Sequence, residues 1–198
     1  MGVWIDDNLT WKVHIDKLIS KIQSLIGIFF RKKSAIPLTC RKNLNFALIH
    51  SALLYGIEIY GNVNKCLLNP LLVKCNFLLR LLQNKPRLTS TKTLYSSYET
   101  LPIYSLYKLC ICKLMHSITY NSDSIPVVIK NLFILNNAIH CHHTRSFNLF
   151  HVQGLISPEA INFVGPSLWR KLPNFIRDCP NLYNFEKLCK TYFSGETL

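Results

Sequence analysis

Acidic residues are scarce in this chain: 10 Asp and Glu stand against 23 Lys and Arg in 198 residues, a formal net charge of +13. Glycine is scarcer still, at 7, and forms neither a P-loop nor a GxGxxG run. That excludes the glycine-built phosphate cradles of the common nucleotide-binding folds. No Gly-rich elbow presents a Ser or Cys nucleophile either, although Cys and His are frequent enough to pair by chance. The start, Met1-Gly2-Val3-Trp4-Ile5-Asp6-Asp7, has no basic segment followed by an apolar run. Asp6 also stands where N-myristoylation requires Ser or Thr. The longest apolar stretch, 44–60, is interrupted by Asn45, His50 and Glu58 and falls short of the roughly 20 residues that span a bilayer. No membrane span is expected, and no repeat or low-complexity segment is present. Eight Cys without a secretory leader imply reduced thiols and an intracellular protein, cytoplasmic or nuclear and not secreted.

What is present is a core-forming composition: 49% hydrophobic and 12% aromatic residues. That is too apolar for a disordered chain. The positive charge is unevenly spread. Residues 1–92 carry 14 Lys and Arg against 4 Asp and Glu, a net of +10, whereas residues 93–198 carry 9 against 6, a net of +3. A basic excess of this size points to a polyanionic partner, most often nucleic acid.

Apolar spacing predicts a mainly α-helical fold. Trp11, Ile15, Leu18, Ile22, Leu25, Ile26, Phe29 and Phe30 repeat at helical intervals, with Thr10 as the expected N-cap. A second helix is expected from Thr39 to about Tyr55. It is apolar on most sides and ends at Gly56. A third is expected to start at Asn69-Pro70 and to stop before Pro86. These three amphipathic segments predict a small bundle. After a polar linker over 86–93, Pro102 opens a long helix to about Tyr120. A turn over 121–126 and a short helix to Leu135 follow. Residues 147–152 and 161–164 are expected to pair as a small β-hairpin. Gly165-Pro166 then turns into a short helix with Leu168, Trp169 and Leu172, and a last helix spans about 183–192.

Several residue groups invite a chemical reading. Asp6-Asp7 has the look of a metal-binding carboxylate pair, but two-metal catalysis needs a further carboxylate from another strand, and none is at hand. A turn and helix-start role is the expectation. His140-Cys141-His142-His143 cannot all converge on one ion, and Cys110 and Cys112 diverge on a helix. No metal ligand and no catalytic residue is assigned. The better candidates are cations. Arg31, Lys32 and Lys33 close the first helix, where its dipole favours them. Arg41 and Lys42 lie in the first turn of the next, where a cation is disfavoured unless an anion is nearby. Lys17 and Lys21 form an i, i+4 ridge, which Lys74, Arg80, Lys85 and Arg87 extend. These residues are the expected phosphate-contacting set.

The run Gly2-Val3-Trp4-Ile5-Asp6-Asp7-Asn8-Leu9-Thr10-Trp11-Lys12-Val13-His14-Ile15 resembles a stretch shared by reverse transcriptases of non-LTR retrotransposons, particularly jockey-like elements. There it joins the end of the palm to the first thumb helix. Further pieces follow in the same order. Ser24-Leu25-Ile26-Gly27-Ile28 resembles an Ile-Gly step. Residues 48–61 resemble Leu-Ile-x-Ser-x-Leu-x-Tyr-Gly-x-x-x-Trp-Gly, with Tyr60 in place of the Trp. Leu101-Pro102-Ile103, Thr144-Arg145 and Gly165-Pro166-Ser167-Leu168-Trp169-Arg170-Lys171-Leu172-Pro173 complete the series, with Arg170 in place of Asn.

The resemblance implies a palm and primer-grip remnant over 1–9, a thumb-like helical bundle over 10–86 and a helical C-terminal region over 87–198. It further implies a truncated fragment of an RNA-directed DNA polymerase, lacking the catalytic palm and inactive alone. At most it would retain sequence-independent binding of an RNA/DNA template-primer. No cofactor is expected for this chain, since Mg²⁺ belongs to the complete parent enzyme. Removal of the palm would leave a surface for self-association. The alternatives are a helical protein-interaction module and a nonfunctional transposon remnant.

Overall fold

The computed structural model describes residues 2–135, 150–151 and 160–196. It is mainly helical, as the apolar spacing predicts, and its chain divides into two compact units, Met1–Tyr107 and Lys108–Gly195.

The first unit is built on α1 (Lys12–Lys32) and α5 (Lys65–Leu82). Ile15, Leu18, Ile22, Ile26 and Phe29 recur at helical spacing on α1, and Leu68, Leu71, Cys75, Leu78, Leu79 and Leu82 do so on α5. Each stripe is buried, and these two helices form the most extensive pairing in the unit. Between them runs a continuous helical stretch: α2 (Leu38–Leu44), a π-helical segment (Asn45–His50) and α3 (Ser51–Leu54). The short α4 (Ile57–Tyr60) and α6 (Thr91–Ser97) complete it. The second unit takes most of α7 (Ile103–Tyr120), then α8 (Val127–Lys130), α9 (Ile161–Lys171), α10 (Asn174–Arg177) and α11 (Leu182–Glu196). Its core gathers Ile111, Met115, His116, Trp169, Ile176, Phe185 and Cys189. Phe185 is the hub, with its ring 4.4 Å from His116 and 5.7 Å from Trp169.

Several expected boundaries move. Thr10 does not cap α1: Trp11 holds that position with φ 62°. The Thr10 amide and hydroxyl instead donate to the Asp6 carboxylate at 2.9 and 2.7 Å. Helix α5 begins five residues before Pro70, because Asn64 caps it with its side-chain oxygen 2.9 Å from the Cys66 amide. Pro70 therefore sits inside the helix and forgoes one backbone bond. The expected linker over 86–93 contains the start of α6.

The hairpin is re-paired. Residues 161–164 are helical, and the short β1 (Ile134–Leu135) pairs antiparallel with β2 (Phe150–His151) instead. Ile161 to Val164 instead form the first turn of α9. Gly165 and Pro166, expected as a turn, are buried within α9. Gly165 is needed there for close packing: a Cβ would lie 2.7 Å from the Met115 sulfur. The short helix expected to reach Leu135 ends at Lys130.

Candidate nucleic-acid interface

The direction of α1 and α5 sets the electrostatics of the first unit. Partway along, the Lys74 ammonium donates to the Gln23 side-chain oxygen at 2.6 Å. At the ends, one guanidinium joins the two helices. Arg41 donates through Nη2 to the Lys33 carbonyl just past α1, through Nη1 to the Leu82 carbonyl at 3.3 Å, and through Nε to the Ile36 carbonyl at 3.0 Å. The two helices therefore run parallel, and their C-termini share one end of the unit. Each C-terminus carries about half a negative charge from its dipole. A buried cation placed between them satisfies carbonyls that the helices leave unpaired. Hydrogen bonds from a charged donor contribute roughly 1.5–3 kcal/mol each.

This settles where Arg41 points. It is buried, and its donors are directed at three backbone carbonyls. A cation in the first turn of a helix is disfavoured, and carbonyls, rather than a phosphate, supply the compensation here. Arg80 is likewise turned inward, with Nε and Nη2 donating to the Thr89 carbonyl at 3.2 and 3.0 Å. Lys42 is ion-paired with Glu99 at 3.0 Å. Lys17 lies over the Trp4 ring, 5.1 Å from its centroid. Lys21 is half-buried on α1, and Lys74 is occupied by Gln23. Arg31, Lys32, Lys33 and Arg87 are exposed, as is Lys85. Of the eleven expected phosphate-contacting residues, only Lys42 meets a carboxylate among the described residues.

Charge segregates along α1. Asp6 and Asp7 precede the helix and Asp16 lies in its second turn beside Lys12 and Lys17, whereas no acid follows Asp16 on the helix and Arg31, Lys32 and Lys33 stand at its close. At 1.5 Å per residue, Asp16 and Lys32 are about 24 Å apart along the axis. That exceeds the screening length of roughly 8–10 Å, so the acids do little to cancel the basic end. Lys17, Lys21, Ser24, Ile28, Arg31 and Lys32 recur on the outward face, opposite the buried stripe.

The Asp6 carboxylate is structural in its bonding. One oxygen accepts from Thr10, and the other accepts from the Trp11 amide at 2.9 Å. The Thr10 hydroxyl foremost, with these amides, holds its pKa below the usual carboxylate value. Both oxygens are committed to the turn that feeds α1. Among the described residues no group of His, Cys, Asp or Glu could hold a metal ion. His140-Cys141-His142-His143 and Thr144-Arg145 lie outside the described residues. Cys110 and Cys112 both lie on α7, where residues two apart do not face one another. Cys75 and Cys189 are buried, and burial pushes both thiols up to about 12, far from the range of a reactive thiolate. Among the described residues no helix is long and apolar enough to cross a membrane.

One exposed feature had no place in the expected interface. Cys66, Pro70, Val73 and Phe77 recur on the side of α5 away from its buried stripe, with Val73 62% and Phe77 44% exposed. Their signal was in the sequence, but a start at Pro70 hid the first turn of the stripe. On α1, by contrast, Ile15, Leu18, Ile22, Ile26 and Phe29 are covered, and Phe30 is exposed.

The chain matches no protein-family model, no curated protein and no solved structure.

Proposed function

We propose that the Met1–Tyr107 unit is a nucleic-acid-binding module of reverse-transcriptase thumb type, one that holds a template–primer duplex through its phosphates without reading sequence. The observation that carries this reading is the charge segregation along α1. Five exposed cations, Arg31, Lys32, Lys33, Lys85 and Arg87, have no carboxylate partner among the described residues. The ordered resemblance to non-LTR reverse transcriptases supports the same reading. Asp6 belongs to the turn before α1, and we assign it no part in phosphoryl transfer.

The test is fluorescence anisotropy with two RNA–DNA hybrids of unrelated sequence. Equal affinities that weaken together with added salt are expected, because phosphate contacts carry no base information. A large preference for one sequence, or no binding to either hybrid, contradicts the reading.

The apolar stripe on α5 favours a second reading, that of a helical interaction module. Val73 and Phe77 continue an exposed row with Cys66 and Pro70, and contiguous exposed apolar surface is what marks protein interaction sites.

A further inference from the structure

The end shared by the two parallel helices is more ordered than a cluster of lysines on a surface. Four features fix its backbone. Arg41 bridges the carbonyls of Lys33, Ile36 and Leu82. Asn84 adopts φ 52°, and its amide donates to Leu81 while that of Lys85 donates to Arg80 at 2.9 Å. This is a Schellman ending, which sets the direction in which the chain leaves α5. Arg80 then holds the loop from its far side through the Thr89 carbonyl. Two inward arginines thus order the segments that carry five outward cations: Arg31, Lys32 and Lys33 from α1, and Lys85 and Arg87 from the loop after α5.

We propose that these two segments form one composite phosphate-binding site, and that Arg41 is the positioning residue that holds them together. The proposal rests on the nucleic-acid reading above and locates it. The partner is the sugar-phosphate backbone of a duplex. A lipid surface fits less well, because an interfacial helix needs a continuous apolar face. The outward face of α1 carries Lys17, Lys21, Ser24, Arg31 and Lys32, and the exposed apolar side chains of this helix, Val13, Ile28 and Phe30, are interrupted by these cations and form no continuous face. Preorganisation is the advantage of the arrangement. Cations on a fixed backbone lose less freedom on binding than cations on a fraying helix end.

The experiment measures affinity of the full chain for a random-sequence DNA duplex between 50 and 200 mM salt, as a log–log slope. Counterion release gives about 0.9 per phosphate neutralised. The triple variant R31A/K32A/K33A should therefore lower the slope by roughly 2–3, and K85A/R87A by roughly 2. K187A/K190A in α11 should leave it unchanged. The variant R41K keeps the charge but loses the planar fork that reaches three carbonyls. In R41K the slope should fall at constant net charge, and a further K85A/R87A change should then have less effect than in the unaltered chain. A purely structural role for Arg41 would lower the melting temperature without moving the slope below it. Should R41K fail to fold, the two exposed-cation variants decide the matter.

If K85A/R87A has no effect while R31A/K32A/K33A does, the composite site is wrong and the binding module stands. If the unaltered chain ignores duplex, or prefers phosphatidylserine vesicles, the functional reading itself fails, and this proposal with it.

Discussion

The imidazole Nε2 of His116 lies 2.9 Å from the carbonyl oxygen of Cys179, 63 residues further along the chain. His116 is fully buried, its Nδ1 has no hydrogen-bond partner, and the rings of Tyr120 and Phe185 flank it. The carbonyl fixes the neutral tautomer with hydrogen on Nε2. Burial foremost lowers its pKa, with the Cys179 carbonyl opposing, and burial lowers that of His14 in the first unit as well.

The sign of the pH dependence follows. Both groups take up a proton less readily folded than unfolded, so stability is retained above the unfolded value of about 6.5 and lost as pH falls below it. Each histidine can contribute at most about 1.4 kcal/mol per pH unit in that window. Melting followed by fluorescence of Trp169, 6.5 Å from His116, should show a lower midpoint at pH 5 than at pH 7. His116→Gln should flatten that difference. An unchanged midpoint in the unaltered chain between these values would contradict the account of His116.

Two glycines should respond in opposite directions. Gly61 approaches its neighbours so closely that a Cβ would lie 2.6 Å from the Ile57 carbonyl oxygen and 2.8 Å from Tyr107 Cγ, with the ring edge closer still. Gly61→Ala should cost about 1–3 kcal/mol by overpacking. Gly27 sits in the middle of α1 with nothing within 4 Å of such an atom. Gly27→Ala should stabilise by about 1 kcal/mol through helix propensity. Urea denaturation with unchanged m-values would report both, and equal signs would contradict the packing described for Gly61.

The exposed stripe on α5 gives a prediction for the second reading. The chain should self-associate at micromolar concentration, and Val73→Ser with Phe77→Ser should shift it toward monomer in sedimentation velocity. A monomeric unaltered chain would remove the stripe as a self-association surface.

Helical periodicity made the core legible in sequence. The α1 stripe from Ile15 to Phe29 and the α5 stripe from Leu71 to Leu82 are buried as their spacing requires. The two-glycine motif over 48–61 also has a physical reason: Gly56 takes φ 72°, Gly61 admits the Tyr107 ring, and buried Tyr60 donates its hydroxyl to Leu53. Tertiary partners were not legible. Arg41 and Arg80 carry the same charge as Arg31 and Arg87, and no local pattern says which of them turn inward. That depends on α1 and α5 running parallel, a relation set by residues far apart in the chain. The start of α5 was misplaced because Pro70 masked the stronger cap at Asn64.

The central claim is that the first unit holds a duplex by its phosphates, and a salt titration of the unaltered chain tests it most directly. With about five phosphates neutralised, the logarithm of affinity should fall with the logarithm of salt at a slope of roughly −4 to −5. A slope near zero, or no binding at 50 mM salt, would mean that Arg31, Lys32, Lys33, Lys85 and Arg87 form only a solvated face.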